Sequence, residues 1–586
     1  MSVIRLIGSR IRANKMYKRM TFRYLVVAII IYVFVTILYY QDSLPDSIVS
    51  NGRKVWTSGP LEFSPDRYYF KLFDALSKYE PLPRPDIKEM RGEAGCHEGD
   101  ISGASSEEVL RKASYQNLDS CMHPPNELLD DLKKKHTQFV EKMHLNLQVS
   151  PEDVKKLWPN ERGIVTIGGG RFSVISISML ETLREMNSTL PVEVIVPPED
   201  EGDDDYCDNV LPKLNAKCVF FSDVLPQDLI SKLKIERYQY KLIGLLISSF
   251  REVLFLDADS LPLENIDRVF DKPLFKEKGL ILWPDMWRRA TTPAFYKVAG
   301  IEYDLSTRVR YMGDDISPIS RYEDTSSKPD YKTEVPMHDL EGFIPDLSSE
   351  SGQLLMNKVE HLSTLILATY YNVHSRWYYR MLSQGTSGEG DKETFVAAAY
   401  ALNMTYYQVK TKLTLDGYRD HNADYHGISL YQHNFQQDYD QYQRAKRYVE
   451  ENLEEFSVYN PKYSYNSDFM DSLMKPTKGN NVGVMFAHIS YHKFDPYEMA
   501  TEDIHMNKDR EHFRAFTRYD VLKGFDLELF NYKAYQRYLC SPDSLPIDFK
   551  YYREKFNNEE RNNMCKYLDD RVEFLNQTHQ EYLGNS

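Results

Sequence analysis

At 586 residues, 42% hydrophobic and 13% aromatic, the chain has enough apolar material for a large folded body and, by length, for more than one domain. Its formal net charge of −15 excludes broad, sequence-independent nucleic-acid binding, which runs on an excess of Lys and Arg. Six cysteines, none with metal-type spacing, fit an oxidising compartment.

The first 23 residues carry Arg5, Arg10, Arg12, Lys15, Lys18, Arg19 and Arg23 and no acid, and residues 24–41 carry no charge at all. Eighteen helical residues at ~1.5 Å each span roughly 27 Å, near the thickness of an early-secretory bilayer. The run is long for a cleaved leader, and Tyr39-Tyr40-Gln41 lacks a small-residue cleavage pattern. Basic flanks stay cytoplasmic. The expectation is a cytoplasmic tail at 1–23, a transmembrane signal anchor at 24–41 and a lumenal remainder. Cysteines close in sequence suggest the pairs Cys96/Cys121, Cys207/Cys218 and Cys540/Cys565, one of 15 connectivities. Sequons at Asn187, Asn403 and Asn576 suit the same secretory setting.

Residues 42–150 read as a stem and N-terminal subdomain ending in a helix at 127–143. The catalytic-looking domain is expected at 151–500. Ser150 caps its first helix, with Pro151 at the first position and Glu152 and Asp153 in the first turn. A strand at 163–167, Gly168-Gly169-Gly170, a helix at 172–186, strands at 191–196 and 217–221, and a largely helical stretch at 229–250 follow. Strands alternating with helices predict a mostly parallel sheet.

The next strand, 253–257, breaks into Asp257-Ala258-Asp259. Ligands of open α/β sheets bind beyond the carboxyl ends of strands, and carboxylates at i and i+2 point to one side, so both face one hard cation holding a diphosphate. The same spacing at Asp203/Asp205 and Asp438/Asp440 reads as solvated surface. Gly168, Gly169 and Gly170 let backbone N–H groups approach a phosphate or base, with Arg171 beside them. Trp283 and Trp287, flanking Asp285 and followed by Arg288 and Arg289, suggest stacking on a sugar. Residues 301–349 read as a polar insertion over the site, and the motif beginning at Glu350 as a turn entering a strand. The loop from Gly385 carries Glu389, Asp391 and Glu393 into a helix, where acids also serve the helix dipole. A late strand at 482–486 leads to His488, His492 and Lys493: an imidazole to complete an Asp/Asp/His cation site and a lysine to face a diphosphate. A C-terminal helical extension, 501–586, carries no usable motif.

Several motifs in order, GIVTIGGGRFS at 163–173, ERYQYK at 236–241, EVLFLDAD at 252–259, LWPDMW at 282–287, ESGQ at 350–353 and SGEGDKET at 387–394, resemble the fungal Golgi α-1,2-mannosyltransferases that build side branches on cell-wall mannan. More distantly the chain is similar to glycogenin-like retaining transferases of the GT-A fold. The resemblance implies an α/β, GT-A-like nucleotide-sugar-binding domain with a mostly parallel central sheet behind a single transmembrane helix. It also implies GDP-mannose as donor, Mn²⁺ or another divalent cation, an α-mannoside acceptor of cell-wall mannan or N-glycan outer chains, and a type II Golgi membrane protein, alone or in a transferase complex. Carried over, Asp257, Asp259 and His488 bind metal, with His492 as the alternative ligand, Asp257 also holds the ribose-diphosphate, Lys241 faces the nucleotide and Asp391 lies near the transferred sugar; on the residue reading Lys493 and the three glycines face the nucleotide as well. Retention needs either a carboxylate nucleophile, for which Asp391, Glu389 and Asp285 are candidates in that order, or same-face attack guided by the leaving phosphate. An α-1,3 activity and an inactive lumenal assembly subunit remain the alternative readings.

Overall fold

The computed structural model describes residues 62–92, 112–231, 235–311, 313–318, 329–419, 424–456, 469–474, 482–490, 493–541 and 547–584. The chain divides into Met1–Glu62 and one compact unit, Phe63–Ser586. The expected anchor at 24–41, Cys96 and His492 lie outside the described residues. No described helix is long and apolar enough to cross a membrane.

The central sheet has seven strands: β1 (Asn160–Ile167), β2 (Val192–Val196), β3 (Ala216–Phe220), β4 (Phe250–Leu256), β6 (Leu280–Pro284), β9 (Ser349–Asn357) and β10 (Tyr407–Gln408), in the order β10-β6-β9-β4-β1-β2-β3. β4, β1, β2 and β3 pair in parallel, as do β10 and β6. β9 runs antiparallel to both neighbours, so the sheet is mixed, with a mostly parallel majority. Strands buried on both faces read as continuous apolar runs. Val253 and Phe255 face one core, with α1 (Pro65–Lys78), α2 (Asn126–Asn146) and the later helix Leu362–Val373. Leu254 and Leu256 face the other, shared with the C-terminal helices Leu527–Leu539 and Asn558–Gln577.

A second, antiparallel sheet was not legible beforehand. It joins β5 (Ser260–Pro262) to β11 (Thr414–Arg419), β12 (Tyr425–His433) and β13 (Val484–His488) in the order β11-β12-β13-β5. The short strands β7 (Asp304–Arg308) and β8 (Leu340–Glu341) pair with each other.

Several expectations need correction. The stretch expected to be largely helical at 229–250 holds, among the described residues, the end of a short helix, Gln227–Ile230, and, after α3 (Arg171–Glu185), α4 (Gln239–Ile247). The last carbonyl groups of α4 are taken by buried Lys358, whose Nζ donates to Leu245 O at 2.8 Å and Ser248 O at 2.9 Å, and β4 starts two residues later. The segment at 350–353 is strand, not turn, because β9 fills the gap between β4 and β6. The insertion at 301–349 is not wholly a surface loop: Val335, Met337, Phe343 and Ile344 belong to the core. Asp203 and Asp438 are buried rather than solvated. Asp438 accepts from the Tyr407 hydroxyl at 2.7 Å and from the N–H groups of Lys410 and Thr411, while Asp203 accepts from Lys550 N–H at 2.5 Å. Trp283 is fully buried, donates to His433 O at 2.8 Å and packs edge-on against Phe435 and Phe486, so it stacks on no sugar. Arg288 and Arg289 are committed to Asp346 and Glu393.

Cys207–Cys218 and Cys540–Cys565 are disulfides, and Cys121 is disulfide-bonded as well. The sequon residues Asn187, Asn403 and Asn576 are all exposed. Ser150 caps its helix through the N–H of Asp153, as the sequence suggested.

Candidate active site

The apolar run of β4 ends at Leu256, and the Asp257 N–H donates to Gly352 O at 2.7 Å, tying the strand end to β9. Asp259 is buried, Asp257 less so. The chain then enters β5, whose Ser260 pairs with His488 at the end of β13; Ile489 N–H donates to Asp259 O at 2.9 Å. That pairing delivers an imidazole from far along the sequence to the Asp pair. Asp257, Asp259 and His488 each offer one ligand atom, all within 4.8 Å of one another.

The donor set suits a divalent cation. Two carboxylates and one imidazole match a hard to borderline ion such as Mn²⁺ or Mg²⁺. Asp259 Oδ1 and His488 Nδ1 are buried without a hydrogen-bond partner, which is costly unless something else satisfies them. His488 Nε2 lies 3.5 Å from Asp259 Oδ1, and its Nδ1 lies 3.7 Å from Glu350 Oε2. Burial alone would lower the imidazole, but Glu350 and Asp259 outweigh it and raise His488 to about 10. Burial likewise opposes ionisation of Glu350, yet His488, Lys392 and the Gly352 N–H hold it down to about 2. Asp259 is held well below the usual carboxylate range against burial by Lys493 and His488. Asp257 is pushed up by burial and by the charge of Asp259, with Lys241 opposing.

Two lysines flank the pair. Lys493 Nζ donates to Asp259 Oδ2 at 2.5 Å. Lys241, buried on α4, lies 3.2 Å from Asp257 and 3.1 Å from Asp391 Oδ2, and donates to Ser351 O at 2.7 Å. Its ammonium is raised despite burial because Asp257 and Asp391 surround it. Asp391 thus joins the cluster through a shared lysine. Asp285, at the end of β6, accepts from Lys392 Nζ at 2.6 Å; burial and the charge of Glu350 push its carboxyl up. Glu389 turns elsewhere: it accepts from Gly385 N–H at 2.6 Å and pairs with Arg380 at 3.5 Å.

Gly168, Gly169 and Gly170 form the turn from β1 into α3, with Gly169 at φ +89° and Gly170 at +53°. The turn reaches the cluster through Phe172, whose ring centre is 5.7 Å from Lys493 Nζ. Sequence reasoning gave no role to Glu350 or Lys392. Their signal was present, since both lie in motifs that carried the resemblance.

A model of the mannosyltransferase family Mannosyl_trans3 matches residues 161–445, which hold every cluster member except His488 and Lys493. Alpha-1,2-mannosyltransferase MNN5 of Saccharomyces cerevisiae is 43% identical over 532 residues, covering 89% of this chain and 91% of that protein. This chain belongs to the alpha-1,2-mannosyltransferase family. MNN2 of the same yeast is 38% identical over 88% of this chain and 86% of its own length. MNN23 of Candida albicans is 33% identical over 77% and 76%. Mouse xyloside xylosyltransferase 1 matches 42% of this chain and 84% of that structure at 13% identity and a TM-score of 0.23, so the fold stands on this chain's own topology. As a member of this family the chain is a glycosyltransferase, and the cluster at the sheet's carboxyl edge is its candidate active site.

Proposed function

We propose that the chain transfers mannose from GDP-mannose, with retention, in α-1,2 linkage to α-mannoside acceptors of cell-wall mannan or N-glycan outer chains. The observation that carries this is the buried Asp257–Asp259–His488 group with Lys241 and Lys493 beside it, at the edge where an α/β sheet binds nucleotides. Such a layout accords with a GT-A domain. Asp257, Asp259 and His488 hold the divalent cation, Mn²⁺ in our reading, which when bound offsets charge on the leaving diphosphate. Lys493 and Lys241 add fixed positive charge beside that diphosphate. Asp391, sharing Lys241 with Asp257, is the carboxylate best placed near the transferred sugar; Asp285, neutralised by Lys392, stands second. Glu389, paired with Arg380, drops behind both.

We further propose a type II Golgi membrane protein with this unit in the lumen. The uncharged run at 24–41, the disulfides and the three exposed sequon asparagines support that placement.

The test is transfer from GDP-mannose to an α-1,6-mannose oligomer by the detergent-solubilised full chain with Mn²⁺, followed by linkage analysis. An α-1,2-linked mannose is expected, and Asp259→Ala is expected to fold, by circular dichroism, and not transfer. Folded protein that neither binds GDP nor mannosylates any α-mannoside would sink the reading.

A further inference from the structure

Beyond β2, Pro197 and Pro198 turn the chain so that Asp200 folds back over the glycine turn. A Cβ built on Gly169 would lie 2.7 Å from Asp200 Oδ2, and one on Gly170 3.4 Å from Oδ1. At position 169 only glycine, free of a side chain and at ease with positive φ, admits the carboxylate this close. The Asp200 carboxylate makes no hydrogen bond or ion pair among the described residues. Burial, with the charge of Glu199 beside it, pushes its carboxyl up. Lys550, which acts on it from a distance, spends its ammonium on Glu199 O at 2.9 Å and Glu201 O at 2.8 Å.

This unpartnered carboxylate lines a cleft of 430 Å³ together with Gly169, Gly170, Phe172, Tyr551 and Lys555. The far wall is the short helix Lys550–Lys555, part of the C-terminal extension that sequence reasoning left without a role. The cleft and the cation group are linked through Phe172. Its ring lies on the cleft's rim, 5.7 Å from the same Lys493 Nζ that donates to Asp259. Phe172, shared by the cleft and the Lys493 side of the cation group, makes the cleft the nearest concave surface available to the base of a nucleotide whose diphosphate sits at Lys493 and Asp259.

An ionised carboxylate offers two acceptors side by side and no donor. Guanine carries two adjacent donors, the N1–H and the exocyclic amino group; uracil has a single imide N–H. We propose that Asp200 reads the Watson–Crick edge of guanine in the donor nucleotide, with Lys550–Lys555 forming the outer wall of the base cleft. This rests on the GDP-mannose reading above and makes Asp200 a specificity-determining residue for it.

Isothermal titration of the full chain with GDP, IDP and UDP in the presence of Mn²⁺ tests the assignment. IDP keeps every group of GDP except the exocyclic amine, so wild-type protein is expected to prefer GDP by about 10- to 100-fold, the factor for one charge-assisted hydrogen bond, and to bind UDP more weakly still. Asp200→Asn is expected to lose GDP affinity by a like factor and to level GDP with IDP, while KM for GDP-mannose rises and kcat holds. Tyr551→Ala is expected to weaken all three nucleotides alike. Wild-type protein that binds GDP and IDP equally overturns the assignment of Asp200, leaves the donor reading standing and needs no variant to fold. An Asp200→Asn protein that keeps the GDP preference overturns it too. Wild-type protein that binds no GDP overturns the donor reading and this inference with it.

Discussion

Gly352→Ala isolates the geometry on which the cation group depends. The residue lies in β9, its carbonyl accepting the Asp257 N–H, so its backbone cannot retreat without loosening the Asp257 turn. A Cβ there would sit 2.8 Å from His488 Cε1 and Nδ1 and 3.0 Å from Nε2. Ordinary contact begins at 3.4 Å, so the ring must give way by the difference, about 0.6 Å, in a close-packed neighbourhood. Overpacking of this size costs about 1–3 kcal/mol, which a body this large tolerates, so the variant is expected to fold. A ligand shifted by more than about 0.5 Å leaves its productive position, and losses of this kind lower metal affinity about 10- to 100-fold. Mn²⁺ titration followed by electron paramagnetic resonance reads the affinity, and thermal unfolding reads the fold. The same substitution in a His488→Ala background is expected to add nothing to the loss of Mn²⁺ affinity, because the displaced ring is already gone. Wild-type Mn²⁺ affinity in Gly352→Ala, or an equal further loss in the His488→Ala background, would refute the role given to His488.

Other expectations follow from the charges and crosslinks. His488 is raised from 6.5 to about 10 by Glu350 and Asp259 against the pull of burial. A folded pKa above the unfolded one contributes stability that is complete below about 6.5 and lost as pH rises through about 10, so chelated protein should lose stability to denaturant between those values. Because the cation takes the imidazole in its neutral form, Mn²⁺ binding at pH 7 should release about one proton, visible as a buffer-dependent calorimetric heat; no release would count against His488 as ligand. Arg571 and Glu528 form a fully buried ion pair, and Arg571→Met leaves the carboxylate only Arg514 at 3.9 Å and the Ala515 N–H, so it should cost about 3 kcal/mol in chemical denaturation, the low end for a broken buried pair. Replacing Cys540 and Cys565 by serine removes a crosslink closing 25 residues and should cost about 3.5 kcal/mol on the loop-entropy account; an unchanged denaturation midpoint would contradict it.

What the sequence disclosed depended on how local each signal was. Asp257 and Asp259 were legible because an uninterrupted apolar strand ends at them, and strand ends are where such sheets work. The helix after the glycine turn was legible from its apolar run, and the structure places it one residue earlier, at Arg171–Glu185. Strand direction was not legible: β9 reads as apolar in either orientation, and its antiparallel course emerges only from the space between β4 and β6. Trp283 misled because tryptophan beside charged residues suggests a sugar platform, whereas Arg288 and Arg289 turn inward to buried acids. Asp203 and Asp438 misled in the opposite direction. Each sits in a polar stretch, yet each is buried as the acceptor for backbone N–H groups distant in sequence. Asp200 carried no signal, since its setting arises where β2, the glycine turn and the C-terminal helix meet.

On the proposed function, the composition of the cluster accounts for a dication binding there before the donor. Asp257, Asp259, Glu350 and Asp391 converge on Lys241, Lys493 and His488. Counted as four carboxylates against two ammonium groups and one imidazolium, the cluster carries one negative charge in excess within a largely buried volume. A dianionic or trianionic diphosphate approaching that group meets repulsion that burial magnifies. A divalent cation that takes the place of the His488 proton brings the same residues to neutrality and presents open coordination positions to phosphate oxygens. The raised imidazole and the depressed Asp259 and Glu350 are thus two aspects of one arrangement: a proton and two lysines hold the carboxylates in register for an ion of higher charge. On that account cation binding precedes donor binding. Residues that tune the cluster, Glu350 and Lys392 among them, then act on donor affinity through the cation as well as directly.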